Sequence, residues 1–178
     1  ERCLQLLADL EETEEMVGTH TTSPRGTLRL TAPISFGASH LAPALGEYAR
    51  LHPAMKFDVM LADRAVDLIE DGLDLAIRVG YLGSQNLVAR QIGTTRILLC
   101  ASPAYLTARG TPQTPEELAH HDCMTYAYAS NSNLWSFERA GEAPRQVRVS
   151  GSMHANNGTV LGELAAAGLG ITSAPDFI

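Results

Sequence analysis

Strand-like and helix-like runs alternate from residue 27 to the end of this chain. TLRLTA (27–32) reads as a strand with Leu28 and Leu30 on one face, closed by Pro33. A short turn leads to a helix from about Ser39 to His52, whose buried face is Leu41, Ala44, Leu45, Tyr48 and Ala49. Pro43 is tolerable there only in the first turn, where its missing N–H costs little. KFDVML (56–61) is a second strand, Arg64 to Asp71 a second helix ended by Gly72, and LDLAIRV (73–79) a third strand. Such alternation builds βαβ units around a largely parallel sheet. RILLCAS (96–102) is nearly continuous apolar sequence, the pattern of a strand buried on both faces.

The rhythm then repeats with changes. PAYLTARG (103–110) reads as a helix, and TPEEL (114–118) as a short one with Thr114 at the N-cap and Glu117 at N3. Residues 122–139 read as two strands around a polar turn, with Trp135 and Phe137 on one face. Residues 145–155 form another strand that turns Val147 and Val149 inward. Asn156-Asn157-Gly158 caps a helix over 158–168, GITSA (170–174) is a strand, and PDFI starts a further helix.

The opening segment differs in kind. Residues 1–18 lack Pro and place Cys3, Leu6, Leu10, Thr13 and Val17 at alternating spacings of three and four. That is a narrow seam, suited to pairing with another helix. The segment carries six acids and one Arg, whereas the other 160 residues carry 14 acids and 12 bases. Most of the net charge of -7 therefore sits on one expected linker or dimerisation helix. Residues 19–26 (THTTSPRG) read as a polar linker. The chain begins without Met and reads as a piece of a longer one.

An acidic chain with a single Lys has no clustered basic surface for holding nucleic acid by itself. Three scattered cysteines make no disulfide framework and suit a reducing, cytoplasmic compartment. No apolar run reaches the ~18–20 residues of a membrane span. His120-His121-Asp122-Cys123 is no metal site, because consecutive residues cannot all face one ion. Gly168-Leu169-Gly170 follows a helix, so it is no dinucleotide fingerprint, and no sequence pattern calls for a cofactor. Nothing pairs a nucleophile with a base.

The ordered set RGTLRLTAPISFG, HLAPALGEYARLHP, DLIEDGLDLAIRVG, RILLCASPAYL, TPEELAHHDCM and VSGSMHANNGTVLGELAAAGLGITSAPDFI resembles the effector-binding region of LysR-type transcriptional regulators. The resemblance implies an α/β fold of two Rossmann-like lobes, of the periplasmic-binding-protein type II kind, preceded by a long linker helix. It places the first lobe at 25–98 and the second at 99–178, with a small-molecule cleft between them. It further implies a homodimer or homotetramer that reaches DNA only through a helix-turn-helix module upstream. By the same resemblance, a returning strand and the first lobe's closing helix follow Ile178.

Ligands of open α/β sheets sit at the carboxyl ends of strands, and helix N-termini suit anions. Ser35, between a strand and a helix start, matches the family's effector-contacting hydroxyl, and Phe36 lines the same mouth. Arg64 follows the second strand and is a candidate to face an anionic effector. Val79 and Gly80 follow the third strand, where Gly80 permits close backbone approach. Asn156 and Asn157 stand where the second lobe would close on the ligand, with Tyr126 as a further lining residue. A periplasmic-type solute-binding protein shares the two-lobe design and stays open as an alternative. An α/β enzyme is the third reading.

Overall fold

A computed structural model describes residues 23–80 and 87–178. The expected helix over 1–18 and the first half of the linker at 19–26 lie outside the described residues. The first sheet is three-stranded and parallel, in the order β2-β1-β3. Strand β1 (Gly26–Ala32) is central, β2 (Met55–Leu61) pairs along its whole length, and β3 (Leu75–Ala76) pairs with Leu30 and Thr31. Leu30 and Ala32 are buried with Leu41, and Phe36, Leu45, Phe57 and Ile77 pack around them.

The first helix starts earlier than its sequence suggests. An α-helical turn, α1 (Ile34–Phe36), runs through a π-helical turn (Gly37–Leu41) into α2 (Ala42–Leu51). Pro43 therefore lies inside a continuous helical run. The widened turn just before it absorbs the missing N–H and the ring. Gly37 sits against the side chain of Leu61, where a Cβ would collide, so helix and strand approach closely at this point.

Two elements of the first lobe come out shorter than expected. The helix anticipated over 64–71 is a single turn: Asp67 Oδ1 caps its start, accepting from the N–H groups of Ile69 (2.9 Å) and Glu70 (3.1 Å), and Gly72 at φ +63 ends it. That local side-chain bonding competes with helix propagation on its N-terminal side. The strand anticipated over 73–79 pairs as a ladder only at Leu75–Ala76, flanked by single bonds from Asp74 N–H to Arg29 and from Ile77 N–H to Thr31.

The second sheet has the order β4-β9-β5-β8. Strand β4 (Ile97–Cys100) runs antiparallel to β9 (Ile171–Pro175), and β5 (Cys123–Tyr126) runs parallel to β9 and to β8 (His154–Ala155). Pairing in this sheet begins at Ile97, two residues ahead of the expected lobe boundary. An antiparallel pair, β6 (Leu134–Phe137) and β7 (Arg145–Arg148), carries Trp135, Phe137 and Val147 onto the core as anticipated. Helix α3 (Pro103–Arg109) is capped by Ser102, whose Oγ accepts the Tyr105 N–H. Thr114 precedes a 3-10 helix (Pro115–His120) without a side-chain cap bond; Glu117 instead accepts the Gln113 N–H. Helix α4 (Gly158–Ala166) packs Leu161 and Ala165 onto Met124. The closing PDFI forms a turn.

Burial falls short of expectation in two places. On α2, Ala44 and Tyr48 are exposed where a buried face is expected. β4 was anticipated as a strand covered on both faces, yet all four of its residues are exposed, Ile97 at 62%. It is an edge strand hydrogen-bonded to β9 alone, and apolar sequence by itself does not supply a covering layer.

Candidate effector cleft between the lobes

Strand β1 ends at Ala32, and Pro33 turns the chain directly into α1. This places Ser35 in the first helical turn, beside the carboxyl end of the sheet. In the second lobe, β8 ends at Ala155 and the chain turns through Asn156 and Asn157 into α4. The two strand-to-helix turns meet. Ser35 Oγ and Thr159 Oγ1 share a hydrogen bond of 2.6 Å. Beside it, Asn157 Nδ2 donates to Asp63 Oδ2 at 3.0 Å. Asp63 Oδ1 accepts the Ile34 N–H at 2.9 Å.

Aromatic rings extend this contact. Phe36 stacks on His40 with ring centres 5.3 Å apart, and Phe177 from the second lobe meets both edge-on, at 5.5 and 5.8 Å. Such edge and stacked pairs favour the quadrupoles of the rings.

Arg78 lies partly buried behind the polar group. Its guanidinium donates to Thr31 Oγ1 at 3.0 Å and, at longer range, to the carbonyls of Ile77 and Ala62. Burial lowers its pKa from the ordinary guanidinium value, and the charge of Asp63 works the other way. Tyr126, at the end of β5, is pushed up to about 12 by burial first and then by the charges of Asp63 and Tyr128. Its phenol stays protonated and keeps a hydroxyl to offer. Among the described residues no buried side-chain nitrogen or oxygen lacks a partner. The polar groups of the two lobes satisfy one another.

The anticipated residues divide. Ser35, Phe36 and Asn157 come together at the meeting of the lobes, and Tyr126 lies within reach of the charge of Asp63. Asn157 also caps α4, its Oδ1 accepting the Val160 N–H at 3.2 Å. Asn156 stands one residue back, exposed, with its amide 3.4 Å from Tyr128 Oη. Arg64 is exposed and donates only to the carbonyl of the next residue, so the structure does not bring it into the group. Val79 and Gly80 are exposed at the end of the third run; Gly80 has φ +118, a conformation that favours glycine. Asp63, Arg78, Thr159, His40 and Phe177 were not singled out as site residues. Asp63 and Arg78 do neighbour residues that were.

A cavity of about 430 Å³ opens beside α3, lined by Tyr105, Arg109, Asp122 and Leu169 among others, none from the first lobe. Nearby, burial and then the charge of Asp122 push the Cys123 thiol up to about 11. A thiol held protonated in this way is a poor nucleophile. Among the described residues no three His, Cys, Asp or Glu side chains are grouped to hold a metal ion. No described helix is long and apolar enough to cross a membrane.

The two sheets and the strand-to-helix turns that meet between them define a two-lobed α/β region. The family model for the LysR substrate binding domain matches residues 21–178, and the chain belongs to this family. It is 38% identical over 178 residues to an uncharacterized HTH-type transcriptional regulator of Haemophilus influenzae, covering all of this chain and 62% of that protein. The solved structure of CrgA, a LysR-type transcriptional regulator from Neisseria meningitidis, superposes with a TM-score of 0.75 at 32% identity. It covers 99% of this chain and 58% of its own. Full-length AphB, a virulence activator of Vibrio cholerae, gives a TM-score of 0.75 at 26% identity, covering 98% of this chain and 59% of its own. The chain thus spans about three-fifths of these longer relatives.

Proposed function

We propose that this chain is the effector-sensing region of a LysR-type transcriptional regulator and performs no catalysis of its own. A small-molecule effector with an anionic group binds between lobes 25–98 and 99–178. It contacts Ser35, Thr159, Asn157 and Tyr126, with Phe36 at the mouth. The observation that carries this reading is the Ser35–Thr159 hydrogen bond, which brings two strand-to-helix turns from different lobes to one point. Main-chain N–H groups at such turns favour a carboxylate, and Asp63 already supplies one to Ile34 there.

The effector works by binding one arrangement of the lobes better than another, and it shifts their balance by no more than that difference. The change in lobe arrangement passes to DNA-binding modules in a homodimer or homotetramer. Contact with DNA belongs to those modules, in the cytoplasm. The acidic chain described here needs no cofactor for this role.

The test is a thermal-shift screen of small carboxylates and aromatic acids against the intact chain, followed by calorimetry on the compounds that raise the melting temperature. Ser35→Ala is expected to weaken such a compound about tenfold, the worth of one hydrogen bond of ~1–1.5 kcal/mol, with the melting temperature of the free protein nearly unchanged. Unchanged affinity overturns the assignment of Ser35.

A further inference from the structure

We infer that Asp63 is a built-in carboxylate clasp, which fills the donor site between the lobes and holds them together until an effector takes its place. This rests on the effector-cleft reading above and adds to it the group that the effector must displace.

Asp63 follows β2 in the first lobe and uses both of its oxygens. One accepts the Ile34 N–H (2.9 Å) and the other accepts the Asn157 amide (3.0 Å). A single side chain thereby joins the start of α1 to the N-cap of α4. The residue in the N-cap position of α1 is Pro33, which has no side-chain acceptor and makes no cap bond. Asp63 supplies that acceptor from 29 residues away. Asn157 is equally fixed, because its Oδ1 is held by the Val160 N–H and the cap geometry aims its Nδ2. Neither partner reaches the other by accident of a loose surface chain.

Arg78 does not break the pair. Its guanidinium donates to Thr31, Ile77 and Ala62, so it braces the loop that carries Asp63 and leaves both carboxylate oxygens to the clasp. The Ser35–Thr159 bond and the Phe36–Phe177 contact join the same two lobes.

A carboxylate held between two N–H donors is the arrangement an anionic effector would make. Asp63 is therefore a tethered competitor for that place. An effector that takes the Asn157 amide releases the second lobe from Asp63, and ligand binding becomes a change in lobe spacing. Charge-assisted bonds of this kind are stronger than neutral ones, which suits a contact that must hold without ligand yet yield to one of the same chemistry.

The test reads lobe spacing in the effector-free chain. Spin labels go on Glu47→Cys in the first lobe and Glu138→Cys in the second, both exposed, with Cys3→Ser and Cys100→Ser and with Cys123 left buried. Labelled chain is diluted into unlabelled chain so that distances within one molecule are recorded. Asn157→Ser keeps a hydroxyl to cap Val160 but is too short for Asp63, and it should add a longer-distance population absent from the parent. Asn157→Asp sets carboxylate against carboxylate and should enlarge that population. Asp63→Asn combined with Asn157→Asp exchanges donor and acceptor and should restore the parent distribution. Circular dichroism establishes that each variant is folded. A parent-like distribution for folded Asn157→Ser and Asn157→Asp overturns the clasp, as does failure of the folded exchange variant to restore closure. No effector enters this measurement, so its failure leaves the Ser35 titration standing, and failure of that titration leaves the clasp standing.

Discussion

The two lobes follow one alternation of strand and helix but bury their sheets differently. In the second lobe, neighbouring residues of β5 serve two separate cores. Cys123 faces Leu118, Val147, Val149 and Ile171, while Met124 faces Leu161 and Ala165. The side chains of β5 are thus covered from both sides, by the 3-10 helix and β7 on one and by α4 on the other. In the first lobe, one cluster of Leu30, Ala32 and Leu41 lies under α1 and α2, with Val59 and Leu61 on the same side partly exposed, while the other face of β1 buries Thr31 against Arg78 and carries no apolar cluster. A central strand acquires a core on each face that a neighbouring element covers, whatever its hydrophobicity. The stability of the second lobe should accordingly be more sensitive to truncation inside it.

The largest effect that sharpens this contrast is Leu161→Ala. Leu161 is 1% exposed and links α4 to β5, so its truncation should cost about 2–5 kcal/mol in urea unfolding. Ile69, in the single turn of the first lobe, is 83% exposed, and Ile69→Ala should stay within about 0.5 kcal/mol. Equal costs at the two positions would erase the contrast.

Glycine substitutions probe the same difference with smaller effects of opposite sign. A Cβ at Gly170 would run into the carbonyl oxygen of Asp122, where backbone meets backbone. Gly170→Ala should destabilise by about 1–3 kcal/mol, the usual cost of overpacking. At Gly46, inside α2, a Cβ meets nothing within 4 Å. Gly46→Ala should therefore stabilise by about 0.5–1 kcal/mol through helix propensity and a stiffer unfolded chain. Loss of stability in both variants would mean that the first lobe is packed as tightly as the second.

Much of this was legible in the residues. Asn-Asn-Gly before an apolar helical run fixes the cap of α4, and alternation marks Val147 and Val149 as inward, although the strand expected over 145–155 divides into β7 and β8 in separate sheets. Ser35 was readable as a hydroxyl between strand and helix. The failures have local causes. Residues 64–71 have apolar spacing fit for a helix, but Asp67 caps it late, at its fourth residue, and Gly72 ends it one turn on. The apolar run of β4 says nothing about which neighbour covers it. Asp63 stands beside Arg64, a cation that draws the expectation of an anion site to itself. The cue in its favour is indirect, since Pro33 cannot cap the helix it introduces and some distant acceptor has to.

The smallest expected effect concerns how each lobe ties its strand ends. In the first lobe, Asp74 accepts the Arg29 N–H at 2.7 Å and anchors the start of β3 to β1. In the second, Asp176 accepts from Thr95 Oγ1 at 2.7 Å and Arg96 Nε at 3.1 Å, and so anchors the end of β9 to the start of β4. Those two side-chain bonds, Thr95 first, hold the Asp176 carboxyl below its ordinary pKa. A carboxyl depressed in the folded state adds stability above its unfolded pKa, and the contribution fades as pH falls through the folded value. The ion pair is solvent-exposed, with Arg96 80% accessible, so salt should screen it and the effect should be small. Asp176→Asn should lower the melting temperature slightly at neutral pH and low salt. The two curves should converge below the ordinary carboxylate range. A gap that persists in acid would assign the anchoring to the hydrogen bonds an amide cannot replace, and not to the charge.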